Sequence, residues 1–387
     1  MKKIILAISL LTSSHLVSGE PHDLFNEQLD DPNNPGNILP QDSELNSPFY
    51  EFPTPAPPAI SDQKIGYLKA LKLLKNKQLP EAEKEINSLI KQYPDEAEFY
   101  NLRALLGTYK NDKKLAISSY QKAIALDANN LAAYLGLSLY SIVEKDFVDA
   151  KKYANKALTI NDKSISAYFL LADIAQKENR EQDIEGYLLT AHNKIQGNIK
   201  QEIAVANKLS VFYISQNQPE KLLAHAEDII KHHPGNSLAL SFLAATQLLN
   251  NKVQLSIQTL EKLIRLQPRD VRHRLILASI LTRQGNNDDK VYKLLDEAIS
   301  IEPNNPQAYI QKTHALTRQK LFPEALEQLK KVKQLSPESG QAELLQGNIF
   351  LAEKKLDKAL TSYQKSYQIK PNSKVANQIV KIMITQG

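Results

Sequence analysis

An all-α chain, a right-handed α-solenoid of about nine helix-turn-helix repeats closed by a C-terminal capping helix, is what three observations predict. A turn position recurs with a period near 34 residues, small residues stand at fixed offsets from it, and helical periodicity runs unbroken from residue 61 to the end. The turn positions are Pro94, Ala128, Asp162, Pro234, Pro268, Pro303, Pro337 and Pro371, mostly 34 residues apart. The step from 268 to 303 is 35, and that from 162 to 234 is 72, two periods plus four residues.

The small residues explain why such units would stack. Twelve residues before a turn stand Ala82, Ala116, Ala150, Ala325 and Ala359, and ten after it Ala104, Ser138, Ala172, Ala244, Ala278, Thr313 and Gly347. Bulky residues are expected to face them: Tyr100, Tyr134, Tyr168 and Tyr309 six residues after the turn, Tyr120 and Tyr363 eight before. Helices approach to about 8–10 Å where large and small side chains interlock in this way. With segments such as Leu115 to Tyr134 (LAISSYQKAIALDANNLAAY) and Ala298 to Tyr309 (AISIEPNNPQAY), the chain resembles the tetratricopeptide repeat family over residues 61 to 387. That resemblance implies stacked helical hairpins in which the first helix of each pair lines an inner groove.

Taken in order, residues 1–19 open with Lys2 and Lys3, continue through an apolar run from Ile4 to Leu11 and reach Val17 and Gly19. This layout predicts a secretory signal peptide cleaved after Gly19 and a bacterial periplasmic location, with outer-membrane association through a partner left open. The chain has no Cys, which excludes disulfide staples and a lipid-modified cysteine. Residues 20–60 hold eight acids and no Lys or Arg, with Pro and Asn in place of any helical period, and read as a flexible acidic arm. Two alternatives stay open: a docking motif at Phe49, Tyr50 and Phe52, or an arm folded back over a basic groove.

Helix pairs are expected at about 62–76 with 79–92, 96–109 with 112–126, 130–144 with 146–160, and 163–178 with 180–194. These make four repeats over 61–195. Five more over 196–372 pair 200–216 with 218–232, 236–250 with 252–266, 270–284 with 288–301, 305–319 with 322–335, and 339–353 with 355–369. The four extra residues fall near Gln196, Gly197 and Asn198, a candidate hinge. The capping helix, 373–387, puts Val375, Ile379, Ile382 and Met383 on one face.

The formal charge of +5 conceals a contrast, since residues 61–387 carry 46 Lys and Arg against 35 Asp and Glu. Taking the turn residue plus 4, 7, 11 and 15 as groove-facing gives an apolar first half and a cationic later half. The candidates are Leu135 and Leu139 in repeat three, Phe169, Asp173 and Lys177 in repeat four, Arg272, Ser279 and Arg283 in repeat seven, and His314 and Arg318 in repeat eight. Arg272, Ser279 and Arg283, seven and four residues apart, share one helix face and suit a carboxylate or sulfate. The Lys and Asn clamp that some members of the resembled family use for acidic chaperone tails is not matched, because its inward positions read Asn101, Leu105 and Leu135.

His225 and His232 flank Asp228 on one helix, with His233 adjacent, but seven residues span about 10 Å, too far to share one ion. These are expected to be surface histidines, and no metal or other cofactor is anticipated. No HExxH, GxSxG, phosphate-loop or dinucleotide fingerprint occurs, so an enzyme is not expected. The expected function is an extracytoplasmic scaffold that binds a protein or peptide in envelope assembly, secretion or exopolysaccharide export. The alternative is an acidic polysaccharide held by the basic array. Export would separate the protein from nucleic acid.

Overall fold

The computed structural model describes residues 61–285 and 288–386. The signal peptide expected over 1–19 and the arm expected over 20–60 lie outside the described residues. Among the described residues every regular element is helical. They divide into two compact units, 61–233 and 234–386.

The first unit holds five pairs: α1 (Ser61–Lys75) with α2 (Leu79–Gln92), α3 (Ala97–Tyr109) with α4 (Lys113–Leu126), α5 (Leu131–Val143) with α6 (Phe147–Ile160), α7 (Ile165–Lys177) with α8 (Glu181–Lys194), and α9 (Ile199–Ser215) with α10 (Pro219–His232). The second holds α11 (Ser237–Leu249) with α12 (Val253–Leu266), α13 (Val271–Gln284) with α14 (Asp288–Ile301), α15 (Pro306–Arg318) with α16 (Phe322–Leu335), and α17 (Gln341–Ala352) with α18 (Leu356–Ile369), followed by α19 (Ser373–Gln386).

Local chemistry sets both turns of most repeats. Asn130, Ser164, Asn198, Asn236, Asp270 and Asn305 cap the first helix of their pairs, each side chain accepting an amide proton from the first turn. Inside the hairpin one residue takes the left-handed conformation: Lys77, Asn111, Lys145, Asn179, Asn217, Asn251, Lys320 and Lys354, with Gly285 in the seventh repeat. Glycine does so without steric strain and asparagine at small cost, whereas the four lysines bring Cβ close to the backbone.

The small positions sit where the sequence places them. Ala104, Ser138, Ala172, Ala244, Ala278 and Thr313 are fully or almost fully buried, as are Ala82, Ala116, Ala150, Ala325 and Ala359. A Cβ on Gly136 would stand 2.4 Å from the Tyr120 ring, and one on Gly347 2.6 Å from Tyr363, so these two tyrosines do face small residues. The tyrosines six residues after the turn do something else: Tyr100, Tyr134, Tyr168 and Tyr309 donate their hydroxyls to the carbonyls of Pro94, Ala128, Asp162 and Pro303 at 3.0–3.3 Å, tying each helix to its own turn.

The core runs between repeats. Tyr67, Leu74 and Ile86 of the first pair close around Phe99, Leu102 and Leu106 of the second, each aliphatic side chain contributing roughly 1.5–3 kcal/mol by burial. The four extra residues of repeat five form no separate segment. They lengthen α9 to 17 residues where most first helices have 13, adding about one helical turn and keeping its faces in phase. The unit boundary lies at His233 and Pro234, and residues 196–198 fall inside the first unit. In α19, Val375 and Ile382 are buried, whereas Met383, expected with them, is 54% exposed beside exposed Val380 and Ile384.

Candidate functional site

The first helix of each pair presents a row of partly exposed side chains. On α3 and α5 of the first unit these include apolar ones: Leu139 is half-buried on α5, and Tyr109 on α3 and Val143 on α5 are exposed. Leu135 lies deeper, in the core formed with α6 and α7. Phe169 is also buried, and the Lys208 ammonium stands 5.7 Å from the centre of its ring. Lys208 bonds Asp173 at 2.7 Å, both side chains being largely sequestered, while Lys177 is exposed one turn further along α7. The pair joins α7 to α9, so an aromatic face, a cation and a carboxylate meet on one surface. Lys208 was not among the residues singled out from the sequence, because the added turn in α9 breaks the fixed offset used to find groove positions.

On α13 and α15 of the second unit the corresponding row carries Arg272, Arg283 and Arg318, and the unit as a whole carries 22 Lys and Arg against 13 Asp and Glu, where residues 61–233 carry 24 against 22. Arg272 is exposed, but its guanidinium bonds both oxygens of Asp270, the cap of α13, at 2.6–3.1 Å. Burial opposes ionisation of Asp270, yet the Arg272 guanidinium and amide hold the carboxyl below its ordinary value. Arg272 is therefore occupied with a helix cap. Arg274, buried on the other side of α13, bonds Glu297 at 2.9 Å.

Further along α13, Ser279 is half-buried and Arg283 exposed, and on α15 His314 and Arg318 are exposed. The Arg318 guanidinium passes so close to Gly285 that a Cβ there would meet it at 2.9 Å. Arg318 thus rests at the C-terminal, negative end of α13, near Arg283 of the last turn. His314 is exposed, and desolvation by the surrounding protein holds its imidazole below the usual value.

The histidines depart from expectation. His225 is buried on α10, its ring 4.3 Å from that of buried His192 on α8, and His192 Nε2 lies 3.4 Å from Asp228. Burial, reinforced by His192 and opposed by Asp228, pushes His225 down to about 4. His233 contacts fully buried Glu202 at 3.0 Å, and Glu202 also accepts the Gly197 amide at 2.6 Å. His232 alone of the three remains at the surface. Among the described residues no group of three or more His, Cys, Asp or Glu is arranged to hold a metal ion.

Ser241 and His273 are hydrogen-bonded at 3.1 Å, with Asp270 beyond, an order reminiscent of a nucleophile, base and acid. The chemistry does not follow. His273 Nδ1 and Asp270 are 3.9 Å apart, outside hydrogen-bond reach, and Ser241 and His273 are both buried.

Comparison with known proteins places this geometry among repeat proteins. A tetratricopeptide repeat family model matches residues 67–130, 243–308 and 313–374. A human protein, the O-mannosyl-transferase TMTC3, is 26% identical over 233 residues, which are 59% of this chain and 25% of that protein, so the chain spans only a quarter of this relative's length. Among solved structures, a tetratricopeptide repeat protein from Parabacteroides merdae aligns over 65% of this chain and 98% of its own, at 19% identity and a TM-score of 0.44. The repeat protein TTC0263 from Thermus thermophilus aligns over 46% and 96%, at 20% identity and 0.38. Among the described residues no helix is long and apolar enough to cross a membrane.

Proposed function

As a member of the tetratricopeptide repeat family, this chain is a protein-interaction scaffold, and we propose that it works without catalysis, outside the cytoplasm, by holding a partner protein of the cell envelope along its inner helix faces. The pathway is envelope assembly, secretion or exopolysaccharide export, and the protein is periplasmic, held near the outer membrane only through that partner. One observation carries this reading: the exposed side chains of the first helices are apolar on α3 and α5 and cationic on α13 and α15. Tyr109, Leu139 and Val143 offer apolar contacts in the first unit, and Arg283 and Arg318 offer charge in the second. A partner with an apolar stretch and a separate acidic stretch satisfies both.

A second reading, an acidic polysaccharide as the direct ligand, is favoured by the excess of 22 basic over 13 acidic residues in 234–387. Affinity capture from envelope extract separates the two. One protein retained in moderate salt supports the scaffold; retention of acidic glycan that is lost as salt rises supports the polysaccharide. Arg283→Glu with Arg318→Glu should weaken capture while the unfolding midpoint stays put. Undiminished capture at matched stability removes these two residues from the site.

A further inference from the structure

In inner helices after the first, two positions are covered by the preceding repeat. The fifth residue after the turn is Phe99, Ala133, Ala167, Ala308 and Ala342 in α3, α5, α7, α15 and α17, and all are buried. The eighth is Leu102, Leu170 and Leu345 in α3, α7 and α17, buried likewise, and Ile276 and Gln311 in α13 and α15, half-buried. In α1 the same positions are Ile65 and Leu68, and they stand 66% and 48% exposed. The groove row of α1 runs through Lys64, Leu71 and Lys75; Leu68, four residues from Lys64 and seven from Lys75, borders it, and Ile65 lies further round the helix. A repeat array needs a covered or polar end, and two aliphatic side chains at covered positions do not supply one.

We propose that this chain's own segment 42–52 covers that face, with Phe49, Tyr50 and Phe52 on Ile65 and Leu68. Charge and length select this occupant. On α1 the aliphatic pair is accompanied by Lys64, Lys72 and Lys75, and by Lys69, which already bonds Glu85 of α2 at 2.7 Å, against one acid of the same helix, Asp62, whereas 42–52 carries Asp42, Glu44 and Glu51 and no basic residue. A second copy of α1 would bring like charges together across a two-fold contact. The eight residues 53–60, four of them Pro, reach about 25 Å when extended. Ile65 and Leu68 lie only about 6–10 Å along α1 from its start, so the aromatic residues can turn back onto them with slack.

The test is hydrogen exchange of α1 amides in the full chain. Replacing Phe49, Tyr50 and Phe52 together by Ser should speed exchange in α1 about tenfold and leave α5 unchanged. Ile65→Ser with Leu68→Ser, both at exposed positions, should give the same change, and combining the two sets should add nothing. Unchanged α1 exchange in the aromatic variant, or fully additive effects, overturns the proposal. So does a concentration-dependent dimer of the unaltered chain that Ile65→Ser with Leu68→Ser dissociates, since a second copy then covers the face.

Discussion

The Ser138 hydroxyl donates to the carbonyl of Ala150 across 2.8 Å, linking two fully buried positions on the paired helices α5 and α6. In the second unit the roles are exchanged: Ser256 on α12 donates to the carbonyl of Ala244 on α11 at 2.9 Å. The same two offsets meet in both repeats, with the hydroxyl on either helix. Ala150→Leu should therefore lower stability by about 1–3 kcal/mol through overpacking, and Ser138→Ala by about 1 kcal/mol through the lost bond. Urea unfolding of each variant measures both, and an unchanged midpoint for Ala150→Leu would mean that the helices are not in this close contact.

The left-handed residue of each hairpin gives a prediction of opposite sign. Lys320 has φ of 62° and Lys145 the same. Lys320→Gly should raise stability by about 1 kcal/mol by relieving the clash of Cβ with the backbone. Gly285→Ala, at φ 72° with Arg318 in the way, should lower it by a similar amount. Thermal unfolding of the two variants should move in opposite directions.

Asp173 and Lys208 test how a largely buried ion pair behaves in the inner face. Asp173→Asn leaves the ammonium without its carboxylate and should lower stability by about 2 kcal/mol. Asp173→Leu with Lys208→Leu should come close to the parent. If the single variant is as stable as the parent, the two groups are solvated independently.

Acid should weaken the first unit. In the folded chain His225 titrates at about 4, below its ordinary 6.5, because burial and neighbouring His192 disfavour the cation. Between those values the unfolded chain holds a proton that the folded chain does not. The stability is thus complete above pH 6.5 and is lost as pH falls toward 4, at up to about 1.4 kcal/mol per pH unit. Buried His273 of the second unit, also held low by burial, acts in the same direction. Unfolding free energies from urea titrations at pH 7 and 5 should differ by about 2 kcal/mol for this group, and His225→Leu should reduce the difference.

The fold was legible because a repeat states its rule many times over. Ala116 alone means little, but Ala82, Ala116, Ala150, Ala325 and Ala359 at one offset identify a packing position. The same logic failed where the register changed. Residues 196–198 read as a hinge because a period count cannot tell a longer loop from a longer helix, and in α9 the added residues continue the helix. Lys208 was hidden for that reason. Leu135 shows a second limit, since an offset gives the side of a helix but not the depth at which the next helix buries it. His225 seemed a surface residue because its partner, His192, comes from a different helix, and nothing in the local sequence records that contact. Arg272 stood out for its charge, whereas Asp270 two residues earlier accounts for it.

The lengthened α9 also bears on how this architecture tolerates editing. Four residues are close to one helical turn, so their insertion returns every later side chain to nearly its old bearing and the downstream hairpins keep their packing. An insertion of two would rotate the rest of the helix by more than half a circle and swing Leu209 and Tyr213, now buried, toward water. Length changes inside these helices are therefore quantised. Permitted ones arrive a turn at a time, and engineered spacers placed in α9 should follow the same arithmetic.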